Sequence, residues 1–86
     1  MENVRLNGKT LVVIRAILGL SQTDVGNLIG LTPMAISLLE NGETKAMSAK
    51  NTARLIEALN LTPREFAAVQ TAIRTVESKF NRGAVE

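Results

Sequence analysis

Apolar positions fall at helical spacing in five stretches of the chain, and each stretch is bounded by a capping or turn signal. From Lys9 to Leu18, the residues Leu11, Ile14, Ala16, Ile17 and Leu18 make a broad apolar stripe, and Gly19 follows where a left-handed C-cap belongs. The run Leu11-Val12-Val13-Ile14 also suits a short buried strand, but the flanking pattern and the glycine stop favour a helix. Ser21 opens a second helix, with Asp24 three residues on as a short capping box and Val25, Leu28 and Ile29 as its inner face up to Gly30. Thr32 caps a third, with Pro33 at the first helical position, where its missing N–H is no loss; Ile36 and Leu39 point inward before an Asn41-Gly42 stop. Ser48 caps a fourth, with Ala53, Leu55, Ile56 and Leu59 on its inner side. Thr62-Pro63-Arg64-Glu65 is a full capping box that opens a fifth helix over about 63–80, with the residues after it expected to fray. The expected fold class is all-α, a five-helix bundle forming one domain over 1–86.

Composition narrows the chemistry. The 86 residues are 45% hydrophobic and only 2% aromatic, so the core must be built from Leu, Ile, Val, Ala and Met, which favours packed helices. With no Cys and no His, zinc fingers, metalloprotease sites and Ser-His-Asp triads lose their working residues. No paired base or phosphate loop supports another enzyme reading, and no catalytic residue, metal or cofactor is expected. The apolar stretch from Leu11 to Leu20 is broken by Arg15 and is shorter than the roughly 18 residues of a membrane span, so no membrane role and a cytoplasmic address are expected. A net charge of +2 and a pI near 9.5 allow an anionic partner without requiring one.

The segment Ser21 to Gly42, SQTDVGNLIGLTPMAISLLENG, reads as two short helices joined by a tight glycine-containing turn, the layout of a helix-turn-helix. Gly26 lies where the two helices must approach closely, and Gly30 permits the turn. Over about Lys9 to Phe66 the chain resembles the phage repressor and Cro group of helix-turn-helix proteins. The resemblance rests on Leu-Gly-Leu-Ser-Gln before the second helix, the Gly30 turn, the Ile36 and Leu39 anchors, the Glu40-Asn41-Gly42 ending and Leu-Thr-Pro-Arg-Glu-Phe at the fifth helix. It implies a transcriptional regulator of Cro-like or minimal-repressor type that binds double-stranded operator DNA as a homodimer in a bacterial or phage-infected cell. By the same resemblance, Thr32, Pro33, Met34, Ala35, Ser37 and Leu38 face the major groove. Ser21 and Gln22 hold a phosphate, and Asn41 and Lys45 grip the DNA backbone further on. Arg15 and Glu40 are expected to form a partly buried structural ion pair, with a solvated Glu40 as the other reading.

The chain also departs from its family. Where Gln, Arg or Asn commonly form bidentate bonds to purines, Pro33, Met34, Ala35 and Leu38 offer only apolar contact, chiefly to thymine methyl groups. Pro33 also takes the place of the polar neighbour that Gln22 usually has. No Lys or Arg lies between Arg15 and Lys45, while Asp24, Glu40 and Glu43 do. This leaves a second reading, a protein-interaction module on the same fold such as an antitoxin or antirepressor component. Arg54, Arg74 and Lys79 read as solvated surface. Phe66, Val69, Ile73, Val76 and Phe80 give the fifth helix one long apolar stripe. Phe66 and Val69 belong to the core, and Val76 and Phe80 are equally candidates for the core or a homodimer contact.

Overall fold

Each helix begins where a short polar side chain satisfies backbone donors that the first turn leaves open. Asn7 Oδ1 accepts from the Thr10 N–H at 2.9 Å and starts α1 (Gly8–Leu18). Ser21, Thr32 and Ser48 do the same for α2 (Gln22–Ile29), α3 (Pro33–Glu40) and α4 (Ala49–Ala58). At α5 (Pro63–Val85), Thr62 Oγ1 accepts from the Glu65 N–H at 3.1 Å while Glu65 Oε1 accepts from the Thr62 N–H at 2.8 Å, closing the capping box. The computed structural model describes the backbone of residues 4–85 and the side chains of residues 4–79, and all regular structure among them is helical. The strand alternative for Leu11–Ile14 is thereby excluded: within α1 only Leu11 and Ile14 of that run are buried, and Val12 faces outward. The helix at α5 continues past the expected end near residue 80.

The core gathers Leu11 and Ile14 of α1, Val25 and Ile29 of α2, Ile36 and Leu39 of α3, Leu55 and Ile56 of α4, and Phe66 of α5. Leu6 and Met47 join them from outside the helices. They are drawn in by a strap: the Met47 N–H donates to the Leu6 carbonyl at 2.7 Å, and the Leu6 N–H donates to Thr52 Oγ1 at 3.0 Å. Thr52 therefore occupies the inner face of α4, and Ala53, expected inside, is exposed. The reason is register: Thr52, Leu55 and Ile56 share one face at three- and four-residue spacing, and Ala53 falls a quarter-turn off it.

The apolar stripes of α1 and α2 are wider than the core they cover. Ile17, Leu18 and Leu28 are 70%, 50% and 44% exposed, although the spacing alone put them on inner faces. The chain turns through 107° between α1 and α2, so the end of α1 projects beyond the layer that buries Leu11 and Ile14. Among the described residues no single helix is long and apolar enough to cross a membrane.

Two glycines fix where α3 lies. A Cβ on Gly26 would overlap the Leu31 carbonyl oxygen in the turn before α3, and a Cβ on Gly8 would overlap the Leu39 carbonyl oxygen at its end. Only residues without a side chain let α2 and α1 come this close, so the two ends of α3 are each held against backbone.

Candidate nucleic-acid interface

The turn before α3 is set by local chemistry. Ser21 Oγ accepts from the Asp24 N–H and Asp24 Oδ2 accepts from the Ser21 N–H, both at 2.9 Å, so α2 starts at a fixed residue. Those bonds also hold the Asp24 carboxyl below the usual carboxylate range. At the other end of α2, Gly30 adopts φ +74°, and Gly30 and Leu31 both donate their N–H groups to the Gly26 carbonyl. The chain is thus turned within three residues into the Thr32 cap of α3.

At the start of α3 most donors are already engaged. Pro33 has none, the Ala35 N–H donates to Thr32 Oγ1 at 3.1 Å, and the Ile36 N–H donates to the Thr32 carbonyl at 3.2 Å. That leaves the Met34 N–H at the mouth of the helix, beside the exposed ring of Pro33 and a Met34 side chain that is 67% exposed.

The far end of α3 is held by a three-residue clamp. Arg15 binds Glu40 with two parallel bonds, Nε to Oε2 at 2.6 Å and Nη2 to Oε1 at 2.7 Å, while its Nη1 donates to the Leu20 carbonyl at 2.9 Å. Gln22 Nε2 donates to Glu40 Oε1 at 3.0 Å. The Glu40 side chain is 7% exposed and that of Arg15 21%, so the fork works largely out of water. Arg15's hydrogen bonds hold the Glu40 carboxyl below its ordinary range against the opposing effect of burial, with Gln22 assisting; the same bond to Glu40 raises the Arg15 guanidinium. One carboxylate at the end of α3 thereby ties together the last turn of α1, the first turn of α2 and α3 itself.

Gln22 is therefore differently placed from the expectation that it simply faces a phosphate. An amide nitrogen carries two hydrogens, and with one on Glu40 the other remains for an outside acceptor. Ser21 and Thr32 are exposed caps whose oxygens accept from their own helices. The outer stripe of α3 runs through Pro33, Met34, Ser37 and Asn41, with the Asn41 amide donating to Ser37 Oγ at 3.4 Å. Ser37 within this stripe is half-buried, as are Ala35 and Leu38, which flank it and line a recess beneath the loop that carries Thr44 and Ala46. Lys45 is exposed on the same loop.

Sequence reasoning left Arg5 unassigned. Its Nε donates to the Met47 carbonyl at 3.1 Å and its Nη2 to the Ala46 carbonyl at 3.4 Å, which brings a second cation to the Lys45 loop. No local pattern announces a contact between residues more than 40 positions apart. On α5, Val69 and Ile73 are half-buried and Val76 is 65% exposed; the Phe80 side chain lies outside the described residues. Lys9 pairs with Glu77, which joins α1 to α5 beside this stripe.

Comparison with curated proteins and with solved structures gives no significant match. A protein-family model described as helix-turn-helix matches residues 14–66, a span that holds the Arg15–Glu40–Gln22 clamp, the capped turn and the whole of α3. With the same elements in the fold, the chain belongs to the Cro- and repressor-type helix-turn-helix family and is a DNA-binding regulator.

Proposed function

We propose that the protein is a sequence-specific regulator of transcription, Cro-like or a minimal repressor, which acts by occupying an operator in the cytoplasm of a bacterial or phage-infected cell. The observation that carries this reading is the rigid mounting of α3. Both of its ends rest on glycine contacts, its last residue is forked to Arg15, and its exposed stripe projects from that mount. A helix of this diameter fits the major groove, and its positive N-terminal end faces outward with the Met34 N–H. Asn41 at the end of the stripe and Ser21, Gln22 and Lys45 around it serve as phosphate contacts, and Arg5 joins them.

Selection from random duplex DNA, followed by a salt titration of the selected site, tests the proposal. A small set of related sequences should be enriched, and binding should weaken steeply as salt rises because phosphate contacts release counterions. Lack of enrichment, or binding to a protein partner with little salt dependence, would favour the interaction module instead. Lys45→Ala should lower affinity about equally for all duplexes and reduce the salt slope by roughly one unit, as expected for one lost phosphate contact.

A second copy of the chain completes the reading, since two recognition helices about 34 Å apart reach successive faces of the major groove. The apolar groove between α1 and α5, about 540 Å³ and lined by Val13, Ile17, Val69, Ile73 and Val76 among others, supports this as the contact face. Sedimentation should show a concentration-dependent dimer that Ile17→Asp and Val76→Asp each abolish, with helicity retained because both side chains are mostly exposed in the single copy. A wild type that stays monomeric with and without its selected duplex would refute the homodimer.

A further inference from the structure

In a helix-turn-helix the N-terminal residues of the second helix meet the base edges, and the later residues meet the backbone. In α3 this division coincides with a chemical one. Its C-terminal half presents Ser37 and Asn41, hydrogen-bonded to each other, while its N-terminal half presents the Pro33 ring and the Met34 thioether. Of the polar groups nearest that end, Thr32 Oγ1 accepts from the Ala35 N–H, and the Gln22 amide gives one of its two hydrogens to Glu40. Within the N-terminal half of α3 itself, Pro33, Met34, Ala35 and Ile36, no side chain offers the paired donor and acceptor that identify a guanine or an adenine.

The one apolar feature of the major-groove edge is the C5-methyl group, carried by thymine and equally by 5-methylcytosine. We infer that α3 reads 5-methylpyrimidines through Met34 and Pro33, so that 5-methylcytosine paired with guanine stands in for thymine paired with adenine at the positions these side chains touch. The two pairs share the purine N7 acceptor and the methyl, and differ in the other two hydrogen-bonding groups, whose donor and acceptor are exchanged. A reader that contacts only the methyl does not distinguish them. Cytosine methylation at the site then acts as a switch that raises occupancy. This inference rests on the DNA-binding reading above.

The test uses the full chain and the duplex enriched by random selection. Each thymine is replaced in turn by deoxyuridine, which removes the methyl and nothing else. Each is also replaced by cytosine and by 5-methylcytosine, with guanine opposite. At one or two positions deoxyuridine should weaken binding roughly fourfold, the affinity equivalent of burying one methyl group. At those positions 5-methylcytosine should bind about fourfold more tightly than cytosine. Met34→Ala, at a side chain that is 67% exposed and so unneeded for folding, should bring the thymine-to-deoxyuridine ratio towards one. Lys45→Ala should weaken all these duplexes together and leave the ratio unchanged. Ratios of one at every thymine, a missing response to 5-methylcytosine, or a full ratio in Met34→Ala would each overturn the inference while leaving DNA binding intact. A selection that enriches no duplex would overturn both.

Discussion

Replacing Arg15 with methionine is expected to destabilise the fold by about 3 kcal/mol at neutral pH, near the lower end of what breaking a buried pair from one side costs. The lower end applies because Arg15 keeps 21% of its side-chain surface in water, whereas Glu40 keeps 7%. The cost arises chiefly at Glu40, left as a largely buried carboxylate with Gln22 as its remaining side-chain donor. Removing both charges together, as in Arg15→Met with Glu40→Leu, should be milder, because no unpaired charge is left behind. Chemical denaturation of the four proteins in a double-mutant cycle gives the coupling, and zero coupling would show that the fork contributes nothing.

Acidification separates the same variants. In the wild type the folded Glu40 carboxyl lies below its ordinary value of 4.5, so its contribution is fully present above about that pH and is lost as pH falls through the folded value. Glu40→Gln should lack this loss. In Arg15→Met the sign reverses, since burial without the guanidinium raises the carboxyl, and protonation then relieves the buried charge. The stability gap between wild type and Arg15→Met should therefore narrow as pH is lowered. A gap that is constant with pH would mean that Glu40 is solvated.

The helix starts were legible because the chemistry that makes them is local. Ser21 with Asp24, Thr32 with Pro33, Ser48 and the Thr62–Glu65 box each complete their bonds within three residues. The strap formed by Leu6, Met47, Thr52 and Arg5 was not legible, since its members lie in irregular segments or appear as polar residues, and only the closed fold brings them together. Periodicity also overstated the core. It identifies residues that share a face, but says nothing about how far a neighbouring helix extends over that face, which is why Ile17, Leu18 and Leu28 are exposed. At the candidate site, the Arg15–Glu40 pairing followed from resemblance. The resemblance also gives the third member, Gln22, a phosphate to hold, and its bond to Glu40 was not legible because that carboxylate lies 18 residues away.

Alanine at Gly8 or at Gly26 is expected to abolish specific DNA binding and to lower stability by about 2 to 3 kcal/mol each, the upper part of the range for forced overpacking. Both substitutions place a methyl group against a backbone carbonyl, Leu39 for Gly8 and Leu31 for Gly26. A flexible side chain could swing away from such a contact. A carbonyl inside a capped turn or a helix end moves only with its element. At Gly26 the displaced element is the turn whose Gly30 and Leu31 N–H groups donate to the Gly26 carbonyl, so α3 would be pushed at its reading end. At Gly8 the push falls at Leu39 and the neighbouring Glu40, where it would also open the fork to Arg15. The two variants should therefore differ in one respect: Gly8→Ala should lose much of the pH-dependent stability contributed by Glu40, and Gly26→Ala should retain it. By contrast, helicity should fall little in either, since alanine is the better helix former. Near-native melting with full affinity for the selected duplex would show that α1 and α2 can move away from α3, and that the position of the recognition helix is set elsewhere.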